Sequence, residues 1–200
     1  MSQLVGDPTT DSAWVLKVVR DARAGSESAF DTLFHYYNAQ ICTYLARMVG
    51  SDEEGRDLAQ ETFLKVWRAL PGIHDESQFV GWLYRIATHT AIDYLRRRKF
   101  RWSLRKNHEE YNIMSIAGPE EQVVEAEQIK QVLAQIPPKY RACLLLQLVA
   151  GFTQREIAES LNLSEKSISI YVSRGLEQFR QAYECLENGS DATRRRRSTR

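Results

Sequence analysis

Residues 151–174 read GFTQREIAESLNLSEKSISIYVSR, and the fold turns on them. Gly151 and Phe152 turn the chain, Thr153 stands where a helix cap is wanted, and Glu156 lies three residues on as its capping-box partner. Ile157, Ala158 and Leu161 then fall on one face. In the turn Leu161-Asn162-Leu163-Ser164, Asn takes the left-handed position and Ser164 caps the next helix. Ile168, Val172, Leu176 and Phe179 pin that helix from below, leaving Lys166, Ser167, Ser169, Ile170, Ser173 and Arg174 to an outside surface. This is a helix-turn-helix pattern, with the second helix shaped for a DNA major groove. The other reading of the same spacing is a helical hairpin packed only inside a bundle.

Outward from this stretch the pattern stays helical. Phe30, Leu33, Phe34, Tyr37, Ile41, Tyr44, Leu45 and Met48 are spaced three and four apart, as one long amphipathic helix requires. Gly50 closes it, and Ser51 with Glu54 forms a capping box for a second helix that buries Phe63, Val66, Trp67 and Leu70. Pro71-Gly72 stops that helix and opens a polar loop, Ile73 to Gln78. A third helix resumes with Phe79, Trp82, Leu83 and Ile86 and runs toward Arg96, Arg97, Arg98 and Lys99. Near the N-terminus, Trp14, Val15, Val18 and Val19 form one amphipathic turn able to pack on this first unit. Beyond residue 120 the spacing predicts a helix ending at Ile136 before Pro137-Pro138, another from Lys139 to Ala150, and two short helices between Thr153 and Cys185.

Charge marks the division between the two units. Seven basic residues lie between Arg96 and Lys106, with Phe100 and Trp102 interleaved, a density that fits salt-dependent phosphate binding. A solvated helix end favoured by the helix dipole gives the same pattern. From Asn107 to Gln128 there is no Lys or Arg, whereas Glu109, Glu110, Glu120, Glu121, Glu125 and Glu127 all fall there. The expected fold is therefore all-α, with two small helical domains joined by a flexible acidic linker and a helix-turn-helix in the second. The boundaries drawn are an extension over 1–25, a first domain over 26–102, a linker over 103–120, a second domain over 121–185 and a disordered basic tail over 186–200.

Composition removes several function classes. The chain has 200 residues, 43% of them hydrophobic and 26% charged, with a formal net charge of +1. Such a chain builds a core, and its bulk charge names no partner. Its longest uncharged apolar stretch, Ala142 to Ala150, falls far short of the roughly 20 residues of a membrane span. The opening MSQLVGDPTTDSAW lacks a basic start followed by an apolar run, so no secretion signal is expected and the cytoplasm is the expected address. Cys42, Cys143 and Cys185 are odd in number and far apart, as reduced structural thiols are. His35, His74, His89 and His108 are scattered, and no Gly-rich phosphate loop or nucleophile elbow appears. No catalytic residue, metal or cofactor is expected. A rival within the binding class is a stand-alone helix-turn-helix regulator.

Four motifs in order resemble the extracytoplasmic-function group of sigma-70-type bacterial sigma factors. They are Asp57-Leu58-Ala59-Gln60-Glu61-Thr62-Phe63 with Trp67; Phe79 to Ala87 running into Asp93-Tyr94-Leu95-Arg96-Arg97; Ile136-Pro137 with Arg141; and Gly151 to Ala158. The resemblance implies a non-enzymatic initiation factor that binds core RNA polymerase, directs it to promoters and opens the minus-ten element. It places Asp57, Gln60 and Glu61 on the polymerase's clamp helices and the second domain on its flap. Phe63, Val66 and Trp67 are needed inside, and Gln60 and Glu61 are expected on or near the opposite side of their helix.

The same resemblance gives minus-ten contacts to His74, Asp75, Glu76, Ser77 and Gln78 as polar edges of a pocket for a flipped base, with Phe79 or Ile73 as its apolar wall. The two carboxylates are expected to accept from base amino groups or to orient neighbours. His89 stands where many relatives carry Asn, as a DNA contact or as a solvent-exposed or core histidine, and Arg96, Arg97 and Arg98 follow toward the backbone. Arg155, Lys166, Ser167, Ser169, Ile170, Ser173 and Arg174 are the minus-thirty-five contacts. Ser167-Ile168-Ser169-Ile170-Tyr171 replaces a more basic family pattern, so hydroxyls and an Ile170 contact to a thymine methyl are expected in place of Arg–guanine pairs. An anti-sigma protein that covers these faces is the implied regulatory partner. The acidic linker either threads polymerase channels or is a plain spacer, and Arg194 to Arg197 either add unspecific DNA affinity or solubilise.

Overall fold

The computed structural model describes residues 8–105 and 121–197, with side chains placed for 13–101 and 126–186. Eight α-helices are described: α1 (Pro8–Arg23), α2 (Glu27–Val49), α3 (Asp52–Ala69), α4 (Phe79–Arg105), α5 (Glu121–Gln135), α6 (Pro138–Leu148), α7 (Gln154–Leu161) and α8 (Glu165–Arg197). The stretch expected as a linker falls almost wholly outside the described residues.

Local chemistry sets most helix ends. Ser26 and Ser51 cap α2 and α3 by accepting from the amides of Ala29 and Glu54, and Gly50 closes α2 at φ 82°, a conformation that favours glycine. The reciprocal half of the capping box at Ser51 is not made. The Glu54 carboxylate instead accepts from the Tyr94 hydroxyl and, at 3.1 Å, from Arg98 on α4, because an ion pair with a guanidinium holds it more strongly than one backbone amide. Gly55 lies where α2 and α3 cross, and a Cβ there would sit 2.6 Å from the backbone nitrogen of Ala46, so only glycine permits this approach.

The first unit, α1–α4, surrounds Leu33, Ile41, Tyr44, Leu45, Val66, Phe79 and Leu83, all buried. α1 extends the predicted N-terminal turn to a full helix, with Val19 buried and Trp14 against the Tyr36 ring at 5.3 Å. Tyr44 and Thr88 share a buried 2.7 Å hydrogen bond, and burial pushes the Tyr44 hydroxyl's pKa up.

The second unit, α5–α8, is centred on Ile136, Leu145, Leu146, Ile157 and Ile168. Its last helix is not short. α8 runs 33 residues to Arg197, through much of the expected disordered tail, where no proline interrupts and four arginines close the run.

The two units also touch: α5 and α6 pack on α2, and α6 and α7 on α4, so the buried residues form one continuous cluster. The end of α2 is the junction. Its last carbonyls lack intrahelical partners, and two guanidiniums supply them. Arg98 of α4 donates to the Val49 carbonyl at 3.4 Å, and Arg141 of α6 donates to that of Met48. Arg141 also ties its own turn through the carbonyls of Ala134 (2.7 Å) and Ile136 (2.8 Å). Its burial and the neighbouring Arg98 charge lower its pKa to about 10, which leaves it protonated at neutral pH.

Candidate nucleic-acid interface

Three surfaces carry the residues singled out by the sequence. The first is α3. Asp57 and Gln60 are exposed, while Glu61 is half-buried and pairs with Lys65 at 2.7 Å and, more loosely, with Arg97 at 4.0 Å. Phe63 and Val66 are buried as expected, but Trp67 is not. It lines an open groove of about 600 Å³ with Phe30, Phe34, Gln60 and Leu64, rimmed by Glu27 and Asp31. Gln60 thus shares a face with the aromatic residues instead of opposing them, since positions 60, 63, 64 and 67 follow the helical repeat. Leu64, 57% exposed, is a contact the sequence reading missed, although the same spacing identifies it.

The second surface is the loop between α3 and α4. Leu70–Gly72 and Glu76–Gln78 form short 3-10 turns. The Asp75 carboxylate accepts from the Ser77 amide at 2.9 Å and from its hydroxyl at 2.6 Å, bonds that hold Asp75 below the usual carboxylate range. Glu76 is bound to α1, 3.0 Å from Arg23 and 3.8 Å from Arg20, and Arg23 also donates to the Ile73 carbonyl. Of the two alternatives for these carboxylates, orienting neighbours is the one the geometry displays. His74, Ser77 and Gln78 stay exposed.

Phe79 is not a pocket wall. It is fully buried against Tyr37 and Trp82, because as the first residue of α4 it carries the helix's apolar stripe. Further along α4, Arg85 and His89 are exposed one turn apart, and Arg96 and Arg97 lie beyond them, both more than half exposed. Arg98 differs from these two. Its bonds to Glu54 and the Val49 carbonyl, and its place 5.8 Å over the Tyr94 ring, make it a structural tie. Sequence reading had no means to find this, nor the anchoring of the loop by Arg20 and Arg23, because the partners lie some 50 positions away.

The third surface is the helix pair α7–α8. Thr153 and Glu156 make both halves of the predicted capping box, Asn162 adopts φ 55° and ψ 50°, and Ser164 accepts from the Ser167 amide. Ile168 is fully buried and Val172 nearly so, while Lys166, Ser169, Ile170, Ser173 and Arg174 are exposed and Ser167 half-exposed. Arg155 is exposed but pairs with Glu159 one turn on, at 3.0 Å. Arg174 reaches the Tyr140 hydroxyl at 3.3 Å, and Tyr171 packs on the Tyr140 ring. The face is mainly hydroxyl and apolar, with cations at its edges.

No helix among the described residues is long and apolar enough to cross a membrane, and no group of three or more His, Cys, Asp or Glu is arranged to hold a metal.

Comparison with known proteins agrees with this geometry. Residues 33–101 match the family model described as Sigma-70 region 2, and residues 126–179 match Sigma-70, region 4. The chain is 29% identical over 178 residues to the ECF RNA polymerase sigma factor SigW of Bacillus subtilis (strain 168), covering 84% of this chain and 95% of that protein. It is 28% identical over 181 residues to the RNA polymerase sigma-H factor of Pseudomonas aeruginosa, covering 85% and 94%. In fold it is similar to CnrH, solved in complex with the cytosolic domain of CnrY, with a TM-score of 0.65 and 19% identity over 86% of this chain and 97% of that one. RpoE of Bartonella quintana, solved with the anti-sigma factor NepR, also gives a TM-score of 0.65, at 16% identity over 78% and 96%.

Proposed function

This chain belongs to the sigma-70 family, in its extracytoplasmic-function group, and from that premise we propose how it acts as a transcription initiation factor that directs core RNA polymerase to promoters. The observation that carries the reading is collinearity: a region 2 match and a region 4 match in one chain, the second enclosing a helix-turn-helix with an open reading face. The factor acts by binding, not by catalysis. It works where the polymerase is, in the cytoplasm.

Asp57, Gln60 and Glu61 dock on the polymerase clamp helices, with the Trp67–Leu64 groove beside them as the apolar part of the contact and its acidic rim complementary to a basic partner. His74, Ser77 and Gln78 read the melted minus-ten strand from a loop held in shape by Asp75 and Glu76. His89, Arg96 and Arg97 follow that strand along α4. Lys166, Ser167, Ser169, Ile170, Ser173 and Arg174, with Arg155 at the edge, read the minus-thirty-five element in the major groove, while the second unit touches the flap. The domain limits proposed are those drawn above, with α1 counted as part of the first domain and α8 extending the second to Arg197. That RpoE was solved with the anti-sigma factor NepR, and CnrH with the cytosolic domain of CnrY, supports an anti-sigma partner for this chain.

The test is run-off transcription by bacterial core polymerase on a library of randomised promoters. Selective transcripts appear with the protein and vanish with Gln60→Ala/Glu61→Arg. DNA binding without any protein-dependent transcript overturns the reading in favour of a stand-alone regulator.

A further inference from the structure

Arg98, Lys99 and Arg141 line a cleft of about 430 Å³ between the C-terminal half of α4 and the turn that joins α5 to α6. Its positive charge is not cancelled by its surroundings. Glu54 pairs with Arg98 at 3.1 Å, but among the described residues no carboxylate pairs with Lys99 or Arg141. Arg141 is 3% exposed, its terminal nitrogens are spent on three carbonyls, and its buried Nε has no hydrogen-bond partner. Neutral carbonyls satisfy its protons without balancing its charge. Burial and the Arg98 charge beside it both work against the protonated form, so the pair of guanidiniums lacks an anion.

Two further features say what kind of anion fits. Pro137 caps α6 without a side-chain acceptor, so the first turn of this 11-residue helix leaves its free amides and partial positive charge at the same end of the cleft. Oxyanions are stabilised there. The cleft is also larger than a bare phosphate needs and falls in the range of small-molecule sites, with Leu95 on one side and Pro137 and Pro138 on the other as apolar wall. A flat ring can lie against these three.

We propose that the cleft binds an organic phosphate of nucleotide size, with its phosphates on Arg98 and Lys99, its ring against Leu95 and the two prolines, and Arg141 behind them as a fixed counter-charge. Arg98 offers a planar fork and Lys99, which is exposed, a mobile point charge, the two means by which proteins hold phosphates. Since α4 belongs to the first unit and the prolines and Arg141 to the second, the ligand bridges the two. The site shares no residue with those assigned to the clamp or the promoter.

The test is calorimetric titration of the full-length protein with ATP, in magnesium-free buffer of constant ionic strength. Saturable binding with a Kd below about 1 mM is expected, and pyrophosphate, which lacks the ring, is expected to bind at least about fivefold more weakly. Lys99→Glu is expected to weaken ATP binding by about fivefold or more, whereas Arg68→Glu, the same change of charge at an exposed position of α3 outside the cleft, leaves it unaltered. Saturating ATP raises the Tm of the parent protein and of Arg68→Glu, but not that of Lys99→Glu. No saturable binding overturns the proposal. Equal weakening by the two variants also overturns it, because that is the response of net charge alone, and pyrophosphate binding as tightly as ATP removes the ring from the site. Run-off transcription by the parent protein without added ligand is read separately, so failure of the site and failure of the assigned function are distinguishable.

Discussion

The loop from Ile73 to Gln78 and the first turns of α8 are both assigned to read DNA, yet they are built by opposite means. The loop is shaped from outside: Arg20 and Arg23 reach it from α1, and Asp75 folds back on Ser77, so three of its polar groups are occupied in holding form. The start of α8 is shaped from within by helical periodicity, a serine cap and two buried residues, and its outer face stays largely exposed, with Ser167 bonded to the cap and Arg174 to Tyr140. A loop that must accept a single base spends its charges on its own geometry. A helix that enters a groove inherits its geometry from the backbone and keeps its side chains for reading.

The largest break in this comparison comes at Phe79. If it is core, Phe79→Ala costs about 3–5 kcal/mol in urea unfolding. A full-stability variant that has lost only DNA binding restores it to the pocket wall. At Thr153 the hydroxyl makes one half of the capping box by accepting from the Glu156 amide, and Thr153→Ala is expected to cost about 1 kcal/mol by the same assay. Glu76→Gln tests the loop's outside anchoring. Stability is expected to fall by less than about 1 kcal/mol, while selectivity among minus-ten variants in run-off transcription falls more than overall yield does. An unchanged selectivity means that the arginines of α1 do not shape the reading surface. The smallest effect sharpens the contrast from the other side. Ile170→Arg adds a cation to the exposed face of α8, and the salt slope of duplex binding is expected to steepen by about 1.

What was legible in the sequence follows the same division. α2, α3 and the helix-turn-helix were readable because periodicity, Gly50, Ser51, Thr153 and Asn162 act within a few residues of themselves. The roles of Glu54, Glu76 and Arg98 were not. Each is decided by a partner roughly 40 to 55 positions away, and nothing local distinguishes a glutamate that completes a capping box from one that holds Tyr94 and Arg98. Phe79 was misplaced for a related reason: at the boundary between loop and helix the residues before it are polar, while its spatial neighbours are Tyr37 and Trp82. The length of α8 was underestimated because an absence of apolar anchors was equated with an absence of helix, although a proline-free stretch ending in four arginines continues it to Arg197.

The chemistry at the two ends of α7 has a mechanical side. Thr153 and Glu156 fasten its start, and past its end the amide of Asn162 returns to the carbonyls of Ala158 and Glu159 while that of Leu163 returns to Ala158 at 2.9 Å. With Ser164 fastening the helix that follows, the turn between α7 and α8 is closed by groups inside the pair. The turn between the two helices is thus set before any partner arrives.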